Sequence, residues 1–299
     1  MSALACAAVG GAAWLASPVP VRLGRKVELS LRGTSGRVLS LSQIPPTLQH
    51  AVVATEDERF YRHHGIDIIG VLRALPYDIV HLSFAEGAST ITEQLAKLLY
   101  LGGNDHSPWR KLEDAAVAWK LENRYSKAQI LAAYLNTAYF GNDAYGVQAA
   151  AARYFGVPAR SLDPAQSTLL AGLIQAPSVY DPLRDPQLAR DRQTEVVRSL
   201  VRDHYLSAAA GAGLLARPLR LQSGATLAPV VGVDLAPGPA FIWWQLAVGA
   251  TLTVLALLFL VAVRGRGVSN VWARRMLTVL PALLVLVGVG VIVRSFRNA

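Results

Sequence analysis

Apolar and polar residues alternate in the first part of this chain, recur at helical spacing through its middle, and end in two continuous apolar runs. Residues 22–45 alternate, as in VELSLRG and RVLSLS, and predict a short hairpin or two strands, a β or linker segment. From Pro46 the spacing is helical: Ile44-Pro45-Pro46-Thr47 opens a helix that carries Leu48, Val52 and Val53 towards Glu56. Thr90-x-x-Glu93 forms a capping box, and Gly102-Gly103 ends the helix it opens. Ser107-Pro108 supplies an N-cap and a first-turn proline for the next helix, with Leu112, Ala115, Ala116 and Trp119 as its expected buried stripe. Ser126-x-x-Gln129 caps SKAQILAAYLN, and AAAARYFG and PAQSTLLAGLIQAP continue the helical series. Residues 207–239, rich in Ala, Gly and Pro, read as a linker.

The two continuous runs change the class of protein under consideration. Residues 240–263 form a 24-residue uncharged stretch and residues 276–293 another of 18, each long enough to cross a bilayer as a helix. They predict a transmembrane hairpin at 240–293. Residues 66–84 (IDIIGVLRALPYDIVHLSF) are also apolar but are interrupted by Asp67, Arg73, Pro76 and Asp78. That segment fits a buried core helix and a membrane-dipping surface equally well.

Charge locates the hairpin. The chain of 299 residues is 53% hydrophobic and 16% charged, with a net charge of +9. Six of its 29 basic residues (Arg264, Arg266, Arg274, Arg275, Arg294, Arg297) flank the two spans. The remaining 23 face 20 acidic residues, a surplus of only +3, which speaks against a nucleic-acid-binding surface. Four of the arginines lie in the short loop RGRGVSNVWARR, and basic short loops stay cytoplasmic. The large segment before the hairpin is therefore expected to be extracytoplasmic. Residues 1–21 carry no charge and read as a signal or N-terminal anchor. Cys6 is the sole cysteine, so no internal disulfide forms.

The candidate chemistry sits in three short segments. Glu56 opens EDERFYRHHG; Thr90, Glu93, Gln94 and Lys97 share a face in GASTITEQLAK, opposite Ile91, Leu95 and Leu98; Arg110 and Asp114 stand four apart in RKLED. Taken singly, each has a bland reading as an amphipathic helix or a solvated ion pair. Together, a carboxylate near several fixed cations suits attack by a hydroxyl with departure of a phosphate. A glycoside hydrolase has no anionic leaving group and would not need the cations. His63 and His64 lack metal-ligand spacing, so no residue is assigned to a metal.

In order, EDERFYRHHGID, GASTITEQLAK, RKLEDAAVAWKLENRYSKAQILAAYLNTAYFG, GVQAAAARYFG and LLAGLIQAPSVYDPLRDP resemble the motif regions of glycosyltransferase family 51. These are the peptidoglycan glycosyltransferase domains of class A penicillin-binding proteins and of monofunctional transglycosylases. The resemblance covers about residues 40–202. It implies a mainly α, lysozyme-like, two-lobed domain at 46–206 that polymerises lipid II on the outer face of the cytoplasmic membrane, with inversion and release of undecaprenyl pyrophosphate. It implies Glu56 as general base, Asp114 as supporting acid, Arg73, Lys97, Arg110 and Lys111 as cations on the pyrophosphate, and Ser89, Thr90 and Gln94 as residues lining the donor cleft. The implied partners are lipid II, the nascent glycan chain and membrane lipid, with cell-wall synthesis proteins as candidates for the hairpin. No cofactor is required by this reading, although a divalent cation (Mg or Mn) could assist. Residues 66–84 fall where the family has a membrane-dipping lobe.

Several positions depart from the family pattern. Asp114 replaces a Glu, Glu93 the first of two Gln, Ala88 a Gly, Leu98 an Asn, Ala132 a Glu and Val157 a Lys. The shorter Asp114 withdraws its carboxylate by about 1 Å, a displacement that can cost on the order of a hundredfold in rate. The alternative reading is therefore a lipid II-binding scaffold with little or no turnover. The SxxK, SxN and KTG pattern of an acyl-transfer domain does not occur in these residues.

Overall fold

The computed structural model describes residues 3–71, 89–102, 107–233 and 235. The chain divides into two compact units, residues 1–74 with 82–236, and residues 75–81 with 237–299. The second unit, and with it the predicted hairpin, lies outside the described residues. Among the described residues no helix is long and apolar enough to cross a membrane.

The first unit is mainly α. Its helices are α1 (Ala3–Ala16), α2 (Leu23–Ser30), α3 (Pro46–Glu56), α4 (Ile91–Ala96), α5 (Pro108–Glu122), α6 (Lys127–Thr137), α7 (Val147–Phe155), α8 (Pro164–Leu173), α9 (Pro186–Arg202) and α10 (Ala208–Leu215). Local capping chemistry starts most of them. Thr90, Ser107, Ser126, Asp163, Asp185 and Ser207 each accept a backbone N–H of the first turn, and proline opens α3, α5, α8 and α9. Such caps stabilise a helix by about 1 kcal/mol each.

The core forms around α3, whose Leu48, Ala51, Val52, Val53 and Ala54 are buried against α8 and α9. A second set of contacts joins α4 to α5 and α6. Glu122 ties these three helices together, accepting from Thr92 Oγ1 and from Lys127 Nζ at 2.6 Å each.

Residues 22–45 differ from expectation. The alternating segment folds as helix α2 followed by a 3-10 turn at Leu41–Gln43, with no strand. Alternation and helical spacing coexist there, and packing on α6 selects the helical subset: Leu23, Val27 and Leu31 are buried while Leu29 is exposed. Residues 207–233 are likewise no linker. They form α10 and the antiparallel pair β1 (Leu219–Arg220) and β2 (Thr226–Leu227). The fully buried Arg190 of α9 holds them by donating to Ala228 O at 2.7 Å and Arg217 O at 2.5 Å. Small residues there serve close packing: a Cβ on Gly211 would stand 2.7 Å from Leu235 and 2.9 Å from Val197.

On α5 the buried stripe is Asp114, Ala116, Val117, Ala118 and Leu121, whereas Leu112 and Trp119 are 40% and 49% exposed. The exposed side of α5 meets α1. Trp119 stands edge-on to Trp14, with centroids 5.5 Å apart. Lys120 Nζ closes the C-terminus of α1, donating to Trp14 O at 2.7 Å, Ser17 O at 2.7 Å and Ser17 Oγ at 2.8 Å.

After α4 the helix widens into a π turn over Lys97–Leu101 and ends at Gly102. The extra residue per turn shifts the phase. Leu99 takes the buried place expected of Leu98, which is exposed.

Candidate active site

Glu56 is the last residue of α3, and the chain turns sharply behind it. Asp57 holds that turn. Its carboxylate faces His63 Nε2 at 2.9 and 3.0 Å and accepts the backbone N–H of Ile91 at 3.0 Å. One buried acid thus fixes the loop after Glu56 to the N-terminus of α4, where the helix dipole favours negative charge.

Thr90 tightens the same junction. Its hydroxyl donates to Gly65 O at 2.6 Å and accepts from Glu93 N, and Glu93 Oε2 accepts from Thr90 N at 2.8 Å. Gly65 has φ +83, and a Cβ there would lie 2.8 Å from the backbone of Trp119. The loop therefore packs directly on α5, which only glycine permits. Thr90 is buried and engaged with backbone, so it shapes the junction and does not line an open cleft.

From this base α4 presents Gln94 to Glu56. Gln94 Nε2 donates to Glu56 Oε2 at 2.9 Å, and Gln94 Oε1 accepts from the hydroxyl of Tyr134 at 2.6 Å. Burial pushes Glu56 above the usual carboxylate range; the Gln94 bond and the Arg192 guanidinium oppose this, and Asp57 reinforces it. Burial, together with Glu56 and Asp57, drives the Tyr134 phenol well above its ordinary value, so it stays protonated as a donor.

The cations collect around Asp114. Burial raises its pKa, and Arg110, Lys111 and Lys97 pull it back. Glu93 is raised by burial as well, opposed by its Thr90 bond and by Lys111, and reinforced by Asp114. Glu93, Asp114, Lys97, Arg110 and Lys111 therefore share one electrostatic neighbourhood. Lys111 Nζ donates to Ser89 Oγ, and Arg110 Nη2 donates to Gly102 O. Arg110 Nε approaches Asp114 Oδ1 only to 3.4 Å, and both atoms are buried without a hydrogen-bond partner among the described residues.

The expected site residues are thus drawn together in two linked groups: Glu56 with Gln94, and Lys97, Arg110, Lys111, Ser89 and Asp114 beyond it. The helical segment 91–101 carries Gln94 into the first group and Lys97 into the second. Arg73 lies outside the described residues. Among the described residues no group of three or more His, Cys, Asp or Glu could hold a metal.

Sequence reasoning missed two residues linked to Glu56, Tyr134 through Gln94 and Arg192 through its charge. Tyr134 lies within AAYLN, where its apolar neighbours suggest a core residue. Arg192 of α9 is held by Gly172 O at 3.3 Å and Glu195 at 2.7 Å, and its guanidinium lies 5.5 Å from the Tyr180 ring centroid. No spacing signal links position 192 to position 56.

A family model described as "Transglycosylase" matches residues 25–201. The chain belongs to the transglycosylase family. Penicillin-binding protein 1A of Neisseria lactamica is 37% identical over 193 residues, 61% of this chain and 24% of that protein. Penicillin-binding protein 2D of Bacillus subtilis (strain 168) is 40% identical over 199 residues, 67% of this chain and 29% of that protein. The crystal structure of penicillin-binding protein 1A from Haemophilus influenzae aligns at 21% identity with a TM-score of 0.38, over 63% of this chain and 18% of that one. The chain thus spans 24–29% of the length of these two relatives. The matched span runs from α2 into α9 and includes every described residue of the two groups.

Proposed function

We propose that this chain is a membrane-anchored peptidoglycan glycosyltransferase that polymerises lipid II with inversion. The observation that carries this reading is the junction at α4: Glu56 is hydrogen-bonded to a helix whose next turn supplies Lys97 to the Arg110–Lys111–Asp114 cluster. The 4-hydroxyl of the acceptor GlcNAc gives its proton to Glu56 as its oxygen bonds to C1 of the donor MurNAc. The C1–O bond to the pyrophosphate breaks, and the electron pair leaves on the pyrophosphate oxygen. Lys97, Arg110, Lys111 and Arg73 neutralise that charge. Asp114 and Glu93 keep the cations apart and oriented while the site is empty. Gln94 steadies the base, and Ser89 positions Lys111.

A lysozyme-like two-lobed domain outside the inner membrane, followed by the 240–293 hairpin, fits this chemistry, because lipid II presents its pyrophosphate at the bilayer surface. Exposed Ile68, Ile69 and Val71, at the edge of the apolar segment 66–84, support contact with membrane lipid. The arginine loop between the spans supports the orientation. A divalent cation, if one takes part, would draw most of its ligands from the pyrophosphate. The hairpin offers a surface to other cell-wall synthesis proteins.

One observation favours a second reading. The supporting acid is the short Asp114, ion-paired with Arg110 at 3.4 Å where the family pattern has the longer Glu, and this suits a scaffold that binds lipid II without turning it over. Incubating the purified full chain with lipid II separates the two. Glycan polymer and undecaprenyl pyrophosphate, both lost in Glu56→Gln, establish the enzyme; binding of lipid II or moenomycin with no released pyrophosphate lipid establishes the scaffold.

A further inference from the structure

Tyr134 is the one partner of the base's hydrogen-bond network that the mechanism above leaves without a task. It lies on α6, fully buried, and its hydroxyl reaches Gln94 alone among the described residues. A glutamine amide can turn over, exchanging its oxygen and nitrogen at almost no steric cost. Turned over, Gln94 would set its carbonyl oxygen against the ionised Glu56 and leave the Tyr134 proton without an acceptor. The phenol has one proton to give, and giving it to Gln94 Oε1 selects the orientation in which Nε2 faces Glu56.

The consequence falls on the base. Gln94 occupies Glu56 Oε2, and Oε1 carries no hydrogen bond among the described residues. A proton taken up at Oε1 leaves Oε2 as the carbonyl oxygen, so the Gln94 bond survives the transfer. We propose that Tyr134 is a positioning residue that acts through Gln94 to present Oε1 of Glu56, and not Oε2, to the attacking hydroxyl. The proposal rests on the glycosyltransferase reading for its catalytic meaning, while the hydrogen-bond relay itself can be tested without it. Four groups face the carboxylate: Gln94 from α4, Tyr134 from α6, Arg192 from α9 and Asp57 just beyond α3. Only the first two form the relay.

The test uses the full chain in detergent with lipid II, comparing wild type and Tyr134→Phe. The substitution keeps the ring in the core and deletes the hydroxyl. Expected are a kcat lower by roughly tenfold to a hundredfold, as for a misplaced group, and a KM within about twofold of wild type. Loss of the oriented donor destabilises the carboxylate form, so the acid limb of kcat/KM should move up by about half to one pH unit. Carbon-13 carboxyl NMR, with the Glu56 signal assigned by its loss in Glu56→Gln, should show the same upward displacement. An unmoved acid limb and unmoved Glu56 titration, or a raised KM at unchanged kcat, overturns the proposal. Should Tyr134→Phe fail to melt cooperatively, Gln94→Leu is read by the same titration, and an unmoved value there overturns it equally. A wild-type chain that makes no polymer sinks the enzymatic reading alone, because the carboxyl titration still decides whether the relay exists.

Discussion

The two halves of the site are built differently. Around Glu56 the polar groups are paired in a fixed chain, Tyr134 to Gln94 to Glu56, with distances of 2.6 and 2.9 Å. Around Asp114 several cations crowd one carboxylate, yet Arg110 Nε and Asp114 Oδ1 remain without hydrogen bonds among the described residues. A base must be placed before the reaction starts, because its reach to the hydroxyl sets the rate. Cations that receive a leaving diphosphate do their work as charge develops, and partners too well satisfied would compete with the substrate. The contrast separates an arranged half from one held in reserve.

That contrast can be broken most decisively at the base. Glu56→Gln should lower polymerisation by about 10²–10⁴-fold, the usual weight of a general base, measured as glycan product on gels. Residual activity near that of wild type would move the base elsewhere. On the reserved side, Lys97→Met should cost roughly 10²–10³-fold in kcat, comparable to losing one fixed donor on a developing anion. If only KM changed, Lys97 would be a binding residue with no share in the transition state.

The pH dependence sharpens the comparison, because activity and stability should run in opposite directions. As the proposed base, Glu56 must be ionised to act, so activity should fall as pH drops through its raised pKa. Glu56, Glu93 and Asp114 all have folded values above their ordinary ones of 4.5, 4.5 and 3.8. The folded state then binds more protons than the unfolded one across that window. Their contribution to stability is full below the ordinary values and is lost as pH rises through the folded ones. Thermal melts on the alkaline side of the window should therefore be lower than these three groups allow on its acid side, and substituting all three by Gln or Asn should flatten that trend. The smallest effect belongs to Asp114→Glu. The longer side chain can close the 3.4 Å gap to Arg110, so the rate should stay level or rise a few-fold, by initial-rate measurement. A collapse would mean that the site has adapted to the shorter acid.

Legibility followed the range of the interaction. Thr90, Ser107 and Ser126 cap the helices they were expected to cap, because a cap is decided within three residues. The Arg110–Asp114 pair was readable for a similar reason, four residues apart on one helix, whereas the place of Lys97 beside them was expected only from the family resemblance. The alternating stretch at 22–31 misled because two periods fit it, and only the surface of α6 chose between them. The π turn that turned Leu98 outward has no mark in composition. Ala- and Gly-rich residues 207–215 looked like spacer because small side chains serve a loose linker and a tight helix contact alike.

The sequence by itself determined where helices begin, which residues carry charge and which family the chain resembles, since these follow from neighbours along the backbone. Tertiary structure alone decided that Tyr134 reaches Glu56 through Gln94, that the Arg192 charge acts on Glu56, that Thr90 is spent on the fold, and that Asp114 pairs with Arg110 at 3.4 Å. Those outcomes depend on distances of a few ångströms between segments tens of residues apart, and only packing of the whole core sets them.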